Sequence, residues 1–392
     1  MGNPKIRFKG YTDDWEQHRL EEICTYYSST LTAKDIDEDG IYNLYDANSL
    51  IGKTNKGYMA EDYITIIKDG AGVGRTRLLP KFTMFLGTMG AMIPQNSDLN
   101  FLFQLITKAD LGKEYTGSTI PHIYFKDYGK NKYYVPCCYE EQRILGIYFS
   151  HIDHLLTFQQ CKCDEVKQLK KYMLQKMFPQ NGADIPEIRF NGFTEAWEQR
   201  RVTDILKNGS AAMKIGPFGS ALKKEFFVEK GIKVYAQENI FSRDFNIGEY
   251  YITEEKFNEL KSCELFPGDL VISMMGTIGA CAIFPETAEK GIMNSHLLRL
   301  QFNKNVIPEY IMFLLRDTQQ IKIQIDRLSV GSIMSGLSSS VVKKLVFPVP
   351  IIEEQKQIVN FLKHLDNLIT LHQRKCNELQ NIKKFMLQNM FV

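Results

Sequence analysis

The sequence predicts an α+β protein in which two mixed α/β globules are joined by two long antiparallel coiled-coil helices, with a pseudo-twofold internal repeat. Three observations predict this fold. The stretch at 140–178 recurs without a gap at 353–391, an offset of 213 residues (353 minus 140). A shorter stretch at 4–17 recurs at 186–199, an offset of 182 (186 minus 4). The segments between these repeats diverge and show both strand and helix signals.

The stretch at 140–178 is predicted to be one unusually long helix. It opens with Glu-Glu-Gln, as does its copy, and apolar residues recur at steps of three and four, the spacing of a coiled-coil seam. At 1.5 Å per residue each helix would be about 55–60 Å long. So narrow a seam needs a second helix to cover it, and the simplest partner is the other copy. The predicted seam, interrupted by Gln159 and His372, consists of Leu145, Phe149, Ile152, Leu156, Cys163, Val166, Leu169, Met173 and Met177, and of Ile358, Leu362, Leu365, Ile369, Cys376, Leu379, Ile382, Met386 and Met390.

The shorter repeat contains the chain's only two tryptophans, Trp15 and Trp197, at the same repeat position. We interpret them as core anchors of the repeat, with an exposed role in docking a partner left open. The chain is then two head-to-tail copies of one unit. The predicted boundaries are 1–139 for the first globule, 140–178 for the first helix, 179–349 for the second globule (with a linker at 179–185) and 350–392 for the second helix.

The middle segments contain short strands and few helices. The first is predicted to have strands at 42–46, 51–54, 63–68 and 76–79, a helix near 100–107, and a Gly-Ser loop, two strands and a turn over 117–135. The second is predicted to have strands at 232–236 and 270–274 and a helix at 308–326. Glycine turns follow a strand at 70–74 and at 276–279, with a proline six residues later in both cases, which indicates a shared strand–turn–strand unit. The Gly-Ser pairs at 117–118 and 331–332 are also expected to correspond.

Composition excludes several classes of protein. No run of 18 apolar residues exists, so no membrane span is expected, and the N-terminus lacks the apolar core of a signal peptide. The eight cysteines form no CxxC pair and the seven histidines show no zinc-binding spacing, so we expect reduced thiols in a cytoplasmic protein without a metal or cofactor. A net charge of +2 means that any nucleic-acid surface would be a local patch.

Two stretches resemble phosphate-binding loops. Residues 47–54 fit a loose Walker A pattern, but turn residues follow where the mechanism needs a helix. Gly70–Gly74 follows a strand as in a glycine-rich cofactor loop, and a tight turn that only glycine tolerates is the simpler interpretation. These glycines could alternatively allow the backbone to approach a DNA phosphate. An enzyme that uses either loop remains an alternative, as does a coiled-coil adaptor that binds only proteins.

Basic residues interleaved with aromatic residues on loops are the candidates for DNA contact, since that combination suits phosphate contact and base-edge readout. Each residue taken singly is also compatible with a solvated surface charge. The two histidines that recur within the long helices, His151 and His364, are candidates for a partner or repeat interface, together with Trp15 and Trp197. The DNA-contact candidates are Arg75, Arg77, Lys126, Lys130, Lys132, Lys214, Lys223, Lys224, Arg243 and Arg299.

This order of parts resembles the specificity subunit of type I restriction–modification enzymes, over essentially the whole chain. The most specific motifs are Arg-Phe-x-Gly-(Tyr or Phe)-Thr-x-x-Trp-Glu at 7–16 and 189–198, and Pro-Val-Pro-Ile-Ile-Glu-Glu-Gln at 348–355. Supporting motifs are Gly-Pro-Phe-Gly-Ser at 216–220, Gly-Asp-Leu-Val-Ile-Ser at 268–273 and Gly-Thr-Ile-Gly at 276–279. The first copy departs from the pattern with Val-Pro-Cys-Cys at 135–138, which affects the boundaries of the first domain.

The resemblance implies that the globules are target recognition domains, each reading one half of a split, asymmetric DNA site, and that the paired helices are a rigid spacer. It implies double-stranded DNA, two methyltransferase subunits and, in the full complex, restriction subunits as partners, with no membrane and no chemistry on this subunit. Helices of about 55 Å would place the readers about one to one and a half turns of DNA apart, at about 34 Å per turn. The bases between would go unread.

Overall fold

A computed structural model describes residues 2–117, 120–180, 182–208, 212–276, 279–329 and 337–392. The chain divides into two compact units. The first consists of Met1–Lys162 and Leu371–Val392, and the second of Cys163–Thr370. Each unit therefore contains one globule and parts of both long helices. Within the described residues, no helix combines the length and the apolar character that crossing a membrane requires.

The first globule has a four-stranded antiparallel sheet in the order β2-β8-β5-β6 and a three-stranded sheet in the order β4-β3-β7, in which β3 and β7 are parallel. A separate pair, β1-β9, is antiparallel. The elements are β1 (Glu16–Arg19), α1 (Leu20–Ile23), β2 (Cys24–Ser28), β3 (Tyr42–Tyr45), β4 (Leu50–Thr54), β5 (Tyr63–Ile67), β6 (Thr76–Leu79), β7 (Thr83–Phe85), β8 (Met89–Pro94), α2 (Leu99–Ala109), α3 (Phe125–Tyr128), β9 (Lys132–Val135) and the long helix α4 (Tyr139–Lys176).

The second globule contains two four-stranded sheets, in the orders β11-β18-β15-β16 and β12-β14-β13-β17, and the antiparallel pair β10-β19. The elements are β10 (Glu198–Arg201), α5 (Val202–Ile205), β11 (Met213–Ile215), β12 (Phe227–Val228), β13 (Ile232–Tyr235), α6 (Gln237–Ser242), β14 (Tyr251–Ile252), α7 (Glu254–Glu259), β15 (Leu270–Ser273), β16 (Cys281–Ile283), β17 (Gly291–Met293), β18 (Leu297–Leu300), α8 (Pro308–Asp317), α9 (Gln319–Ser329), α10 (Ser339–Lys344), β19 (Val346–Val349) and the long helix α11 (Ile352–Met390).

The two middle segments share the strand order of one four-stranded sheet and one parallel pair, although their sequences differ and the second segment has an additional strand, β12. The order β2-β8-β5-β6 corresponds to β11-β18-β15-β16, and the parallel pair β3-β7 corresponds to β13-β17. The predicted strand–turn–strand unit is confirmed, since β5 and β6, and likewise β15 and β16, are antiparallel neighbours on either side of a glycine turn. Residues 277–278 of the second turn lie outside the described residues, as do Ser118 and the Gly-Ser pair at 331–332.

The long helices are antiparallel within each unit. In the first unit, Lys383 donates to Asp153 at 2.6 Å and Gln159 lies 2.7 Å from His372, so residue numbers rise along one helix as they fall along the other. In the second unit, Lys170 donates to Asp366 at 2.6 Å. The two salt bridges are equivalent under the repeat, because 153 plus 213 is 366 and 170 plus 213 is 383.

The structure corrects one predicted seam position. Leu169 and Ile382, which are equivalent, are 45% and 48% exposed. The next residue in each copy, Lys170 or Lys383, turns inward instead, because its amine is bonded to an aspartate of the opposing helix. Spacing alone did not distinguish these neighbouring positions, since a lysine stem can also lie along an apolar seam.

Two further predictions about local structure were wrong. The helix predicted at 308–326 is two helices, α8 and α9, because the backbone of Thr318 is extended and its hydroxyl bonds the carbonyl of Leu314 at 2.6 Å. Within 117–135 only one strand, β9, is present in the described residues. The short helix α3 lies before it, and its Tyr128 is buried in the core.

Candidate nucleic-acid interface

In the second unit, three loops meet at one end of the sheet β11-β18-β15-β16. The amide of Gly216, just after β11, bonds the carbonyl of Leu297 at 3.0 Å, and the amide of Met274, just after β15, bonds the carbonyl of His296 at 2.9 Å. We call residues 214–220, 274–276 and 294–297 the second loop end. The strands determine its position, because β11 and β15 both end where β18 begins.

Helix α6 supports this loop end from the side. The side chain of Gln237 donates to the hydroxyl of Ser273 at 2.6 Å and to the carbonyl of Met275 at 2.9 Å. Gly276 faces the ring of Phe241, and a Cβ there would lie 3.3 Å from it. The predicted DNA contact Arg243 ends the same helix in a left-handed conformation (φ 57°) and is exposed. The loop end is therefore held in shape by hydrogen bonds and a close approach.

The basic candidates of the second unit separate into two groups. Lys214 is half-buried and Lys223 and Lys224 are exposed, all close in sequence to the loop at 216–220. Lys214 also lines a cavity of about 460 Å³ together with Phe218 and Lys343, a lysine that sequence reasoning missed. These positions suit phosphate contact, since exposed amines near a loop end can reach a DNA backbone.

Arg299 belongs to the interior instead. Its side chain is 6% exposed, donates to the carbonyl of Glu264 and lies 3.9 Å from Asp269. It sits on β18 at the centre of the sheet, where no pattern in the sequence indicated that an arginine would be buried. The prediction that Arg299 contacts DNA was therefore wrong, because its guanidinium is enclosed in the protein.

In the first unit, the equivalent end of the sheet β2-β8-β5-β6 carries a different set of side chains. The glycine turn after β5 is hydrogen-bonded to a second loop. The amide of Gly70 donates to the carbonyl of Pro121 at 3.0 Å, and His122 Nδ1 lies 2.7 Å from Asp69 Oδ1. Lys126 Nζ lies 5.2 Å from the centre of the Tyr124 ring. We call residues 68–75, 86–88 and 121–126 the first loop end.

The glycines of the first loop end allow the chain to make a tight turn. Gly70, Gly72 and Gly74 all have positive φ, and a Cβ on Gly74 would collide with the backbone of Gly112. A strand rather than a helix follows, so the turn interpretation is confirmed and the cofactor-loop geometry is not present. The Walker-like stretch likewise ends in a strand, β4, with no helix after it, which removes the geometry that a nucleotide loop needs.

The structure brings only part of the predicted basic set to the first loop end. Arg75 lies in the first loop end, where its guanidinium donates hydrogen bonds to the carbonyl of Ala47 at 2.6 Å and to Asn48 Oδ1 at 2.7 Å. Arg77 lies further along β6, 5.0 Å from the centre of the Tyr45 ring. Lys130 and Lys132 are exposed but belong to the connection into β9 and to β9 itself, which is paired with β1 rather than with this sheet.

The repeated motifs at 7–16 and 189–198 form a buried cluster in each unit. Arg7 donates to both carboxylate oxygens of Glu141 at 2.7 and 2.8 Å, and the Trp15 indole donates to the same carboxylate at 3.4 Å. The equivalent residues Arg189, Glu354 and Trp197 repeat this geometry at 2.7, 2.8 and 3.2 Å. Because Trp15 and Trp197 are 3% and 2% exposed, the core-anchor interpretation is confirmed and the exposed docking role was wrong.

An exposed apolar face recurs on the long helices. Leu169 and Tyr172 are 45% and 49% exposed in the second unit, and their equivalents Ile382 and Phe385 (169 and 172 plus 213) are 48% and 56% exposed in the first. The predicted interface residues His151 and His364 are exposed on the same helices. Sequence reasoning missed this face because it assigned Leu169 and Ile382 to the seam.

The described residues include no metal-binding group, and two of the buried cysteines have strongly raised pKa values. No group of three or more His, Cys, Asp or Glu side chains there is placed to hold a metal ion. The cysteines are free, and burial raises the pKa of the Cys24 and Cys281 thiols to about 12, which keeps them unreactive at neutral pH.

Comparison with known proteins adds the family. The family model of the type I restriction modification DNA specificity domain matches residues 12–168 and 194–381. The type I restriction enzyme MjaVIII specificity subunit of Methanocaldococcus jannaschii is 24% identical over 395 residues, which cover 95% of this chain and 91% of that protein. The putative MjaX specificity subunit of the same organism is 30% identical over 207 residues, 50% of this chain and 46% of that one. The S subunit of a type I restriction–modification system from M. genitalium has the same fold, with a TM-score of 0.68 at 15% identity over 100% of this chain and 99% of that chain.

Proposed function

Because the chain belongs to the family of type I restriction–modification DNA specificity domains, we propose that its two loop ends read the two halves of a bipartite DNA site. One observation carries this proposal. The two loop ends stand on sheets of the same strand order but present different side chains, Asp69, His122 and Lys126 in the first unit and Lys214 and Phe218 in the second. Two such readers would recognise two different sequences, so the site should be asymmetric.

The chemistry of the side chains suggests which residues would contact DNA phosphates and which would contact base edges. The flexible lysines at 126, 214, 223, 224 and 343 and Arg75 and Arg243 would hold phosphates and so fix the register of the duplex. The paired His122 and Asp69, held by loop hydrogen bonds, would face base edges. The reading domains would be residues 1–139 and 179–349, with the helices between them setting how many base pairs go unread.

The partners proposed are two copies of a methyltransferase subunit, and restriction subunits in the full complex, acting in the cytoplasm. A face that occurs twice at equivalent positions suits two identical partners, and the exposed pairs Leu169/Tyr172 and Ile382/Phe385 supply such a face. This chain would supply no chemistry. Methyl transfer and cleavage would belong to the partners, and a separate reader suits a reaction that requires the target base to be flipped.

Domain exchange tests the two-reader proposal. Residues 206–349 are replaced by the equivalent segment of another specificity subunit, and methylated adenines are mapped by sequencing in cells that also contain the methyltransferase. We expect one half of the methylated site to change and the other to stay the same. A change of both halves, or of neither, would contradict separate readers.

Charge placed on the repeated face tests the partner proposal. Tyr172→Glu and Phe385→Glu should each remove one methyltransferase copy, measured as the mass of the purified complex, because a buried unpaired carboxylate opposes association. Ile147→Glu is the matched control, since Ile147 is 37% exposed on the first long helix but its equivalent (147 plus 213), Asn360, is polar. A complex of unchanged mass in both variants would move the interface elsewhere.

A further inference from the structure

Phe218 is the most exposed aromatic side chain in the described part of the chain, with 65% of its surface open to solvent. It lies at the tip of the loop at 216–220, in the second loop end. A phenyl ring in water forgoes the free energy of burial, so a partner that covered this ring would gain that free energy. Membership of the family does not by itself assign a role to this residue.

The loop that carries Phe218 is rigid at its base. Gly216 has no room for a side chain, because a Cβ there would collide with the carbonyl of Asn294, and its amide is bonded to Leu297 at 3.0 Å. Pro217 follows with a fixed φ. The carbonyl of Phe218 then accepts from the amide of Ala221 at 3.1 Å, which closes the turn. The backbone that carries the ring is therefore held in a defined turn before any partner arrives.

Lysines lie close to Phe218, two of them in the same cavity and others nearby in sequence. Lys214 and Lys343 line the same cavity as Phe218, and residues 212–224 contain three lysines (214, 223 and 224) and no acidic residue. The next residue, Glu225, lies 3.5 Å from Lys223 and so takes up one of these charges. A surface with an apolar tip and a cationic rim complements a polyanion with flat apolar faces, which is the chemistry of stacked nucleobases between phosphates.

We propose that Phe218 is an apolar wedge that enters between two stacked base pairs in the half-site read by the second unit, while Lys214 and Lys343 hold the phosphates beside it. The proposal rests on the proposed function, and it adds a residue that reads the deformability of a base step rather than the edges of the bases. Flexible pyrimidine–purine steps unstack at lower cost, so the wedge would favour such a step at its position.

The first unit provides a useful contrast. Its loop end carries the His122–Asp69 pair and Tyr124, whose ring is occupied by stacking on His122 (centroids 6.4 Å apart) and by the Lys126 amine. The Tyr124 ring, which is 48% exposed, has these neighbours, whereas the ring of Phe218 stacks on no other aromatic ring of the described residues. A wedge is accordingly proposed for the second half-site alone.

The experiment uses the full chain with its methyltransferase partner. The probe is a duplex that carries the methylated site mapped in cells, with 2-aminopurine placed in turn at each adenine of the second half-site and its flanks except the methylated adenine, whose flipping would itself raise the fluorescence. In the wild-type complex we expect fluorescence to rise at one step, where a neighbour is unstacked. Phe218→Ala should abolish that rise and weaken binding about 10- to 100-fold, since aromatic stacking on a base contributes about that much to affinity. Phe218→Trp should keep the rise.

Phe266→Ala is the matched control. Phe266 is 45% exposed in the same unit but lies before β15, at the opposite end of that strand from the loops, so the variant should bind and fluoresce as the wild type does. Unchanged binding and fluorescence in Phe218→Ala would overturn the wedge. So would loss of methyltransferase assembly with the fluorescence rise intact, because Phe218 would then contact protein.

The failure of the wedge and the failure of two-domain reading can be told apart. If Lys214→Glu weakens binding to all duplexes and domain exchange changes one half-site while Phe218→Ala does nothing, the second unit reads DNA without a wedge. If exchange of residues 206–349 leaves both half-sites unchanged, the proposed function itself fails, and the wedge fails with it.

Discussion

Two glutamates, Glu141 and Glu354, attach the first turn of each long helix to its globule. Each accepts two hydrogen bonds from an arginine and one from a tryptophan, and both are almost completely buried. The adjacent glutamines also bond backbone groups of the globule, such as Gln142 Nε2 to the carbonyl of Pro136 at 2.9 Å. The Glu-Glu-Gln motif is thus a structural joint between helix and globule, which explains why it is repeated while the loop ends differ.

Glu141→Ala should destabilise the first unit by about 1.5–3 kcal/mol, because it removes the buried carboxylate to which the half-buried Arg7 guanidinium and the Trp15 indole both donate. The measurement is guanidinium unfolding combined with amide hydrogen exchange, which separates the two units. Glu140→Ala is the control, since Glu140 is exposed and bonds only its helical neighbour Arg143. If both variants unfold at the same denaturant concentration, the joint contributes no stability.

Asp317 gives the second unit a defined response to acid. Burial by itself raises the pKa of this carboxyl, but the hydrogen bond from Arg316 and the charges of Arg316 and Lys170 outweigh it, so the pKa is lowered. A carboxyl with a lower pKa in the folded state contributes stability that is present above its unfolded pKa and is lost as pH falls through the folded value. That loss should begin below about pH 4.

Asp317→Asn should therefore lower the free energy of unfolding of the second unit at pH 7 and flatten its decline between about pH 4 and the acid limit. Urea unfolding of the purified chain at a series of pH values, read through hydrogen exchange of second-unit amides, measures this. Asp326→Asn, at an exposed position of α9, is the control. A variant that keeps the full acid decline would show that other carboxyls cause it.

At the scale of elements, the polar pair in the helix seam is the most informative contact. Gln159 and His372 lie at the same repeat position (159 plus 213 is 372) and lie 2.7 Å apart in the first unit. A polar pair in an otherwise apolar seam costs stability and fixes register, because only one alignment brings the two groups together.

Gln159→Leu alone should destabilise the first unit by about 1–2 kcal/mol, since His372 loses its partner in a half-buried position. Adding His372→Leu should restore or exceed wild-type stability, because the seam becomes apolar throughout. Thermal unfolding of the two single variants and the double variant forms the cycle, with Gln168→Leu, exposed on the same helix, as the control. Independent, additive effects of the two substitutions would mean that the pair does not couple.

The sequence predicted the elements well wherever a repeat or a period was present. The long helices, the central strands at Tyr63–Ile67 and Leu270–Ser273 and the tryptophan anchors follow from local pattern or from recurrence. Contacts between distant segments could not be predicted from local pattern or from recurrence. The inward turn of Lys170, the burial of Arg299 and the close approach of Gly216 to Asn294 each depend on a neighbour that is far away in sequence. Among the candidate DNA contacts, the basic residues followed from their interleaving with aromatic residues on loops, whereas nothing in the Gly-Pro-Phe-Gly-Ser motif indicated that Phe218 would be so exposed.

At the scale of the whole molecule, each unit's core is completed by the end of the helix that follows the other globule. In the first unit, Phe391 packs among Trp15, Phe101 and Phe149, with ring centroids 6.3, 5.4 and 5.6 Å away. In the second, its equivalent Phe178 packs against Trp197 at 6.1 Å. The two copies thus exchange helix ends, and neither globule has a complete core without the other copy's helix.

Phe391→Ala should consequently destabilise the first unit, at the far end of the chain in sequence, by about 3–5 kcal/mol, the usual cost of emptying a buried phenylalanine site. The second unit should keep its wild-type hydrogen exchange, whereas Phe178→Ala should produce the reverse pattern. Phe385→Ala is the matched control, because Phe385 is on the same helix and 56% exposed. Faster exchange in β10–β19 rather than in β1–β9 of the Phe391 variant would mean that the helix ends do not close the cores in this way.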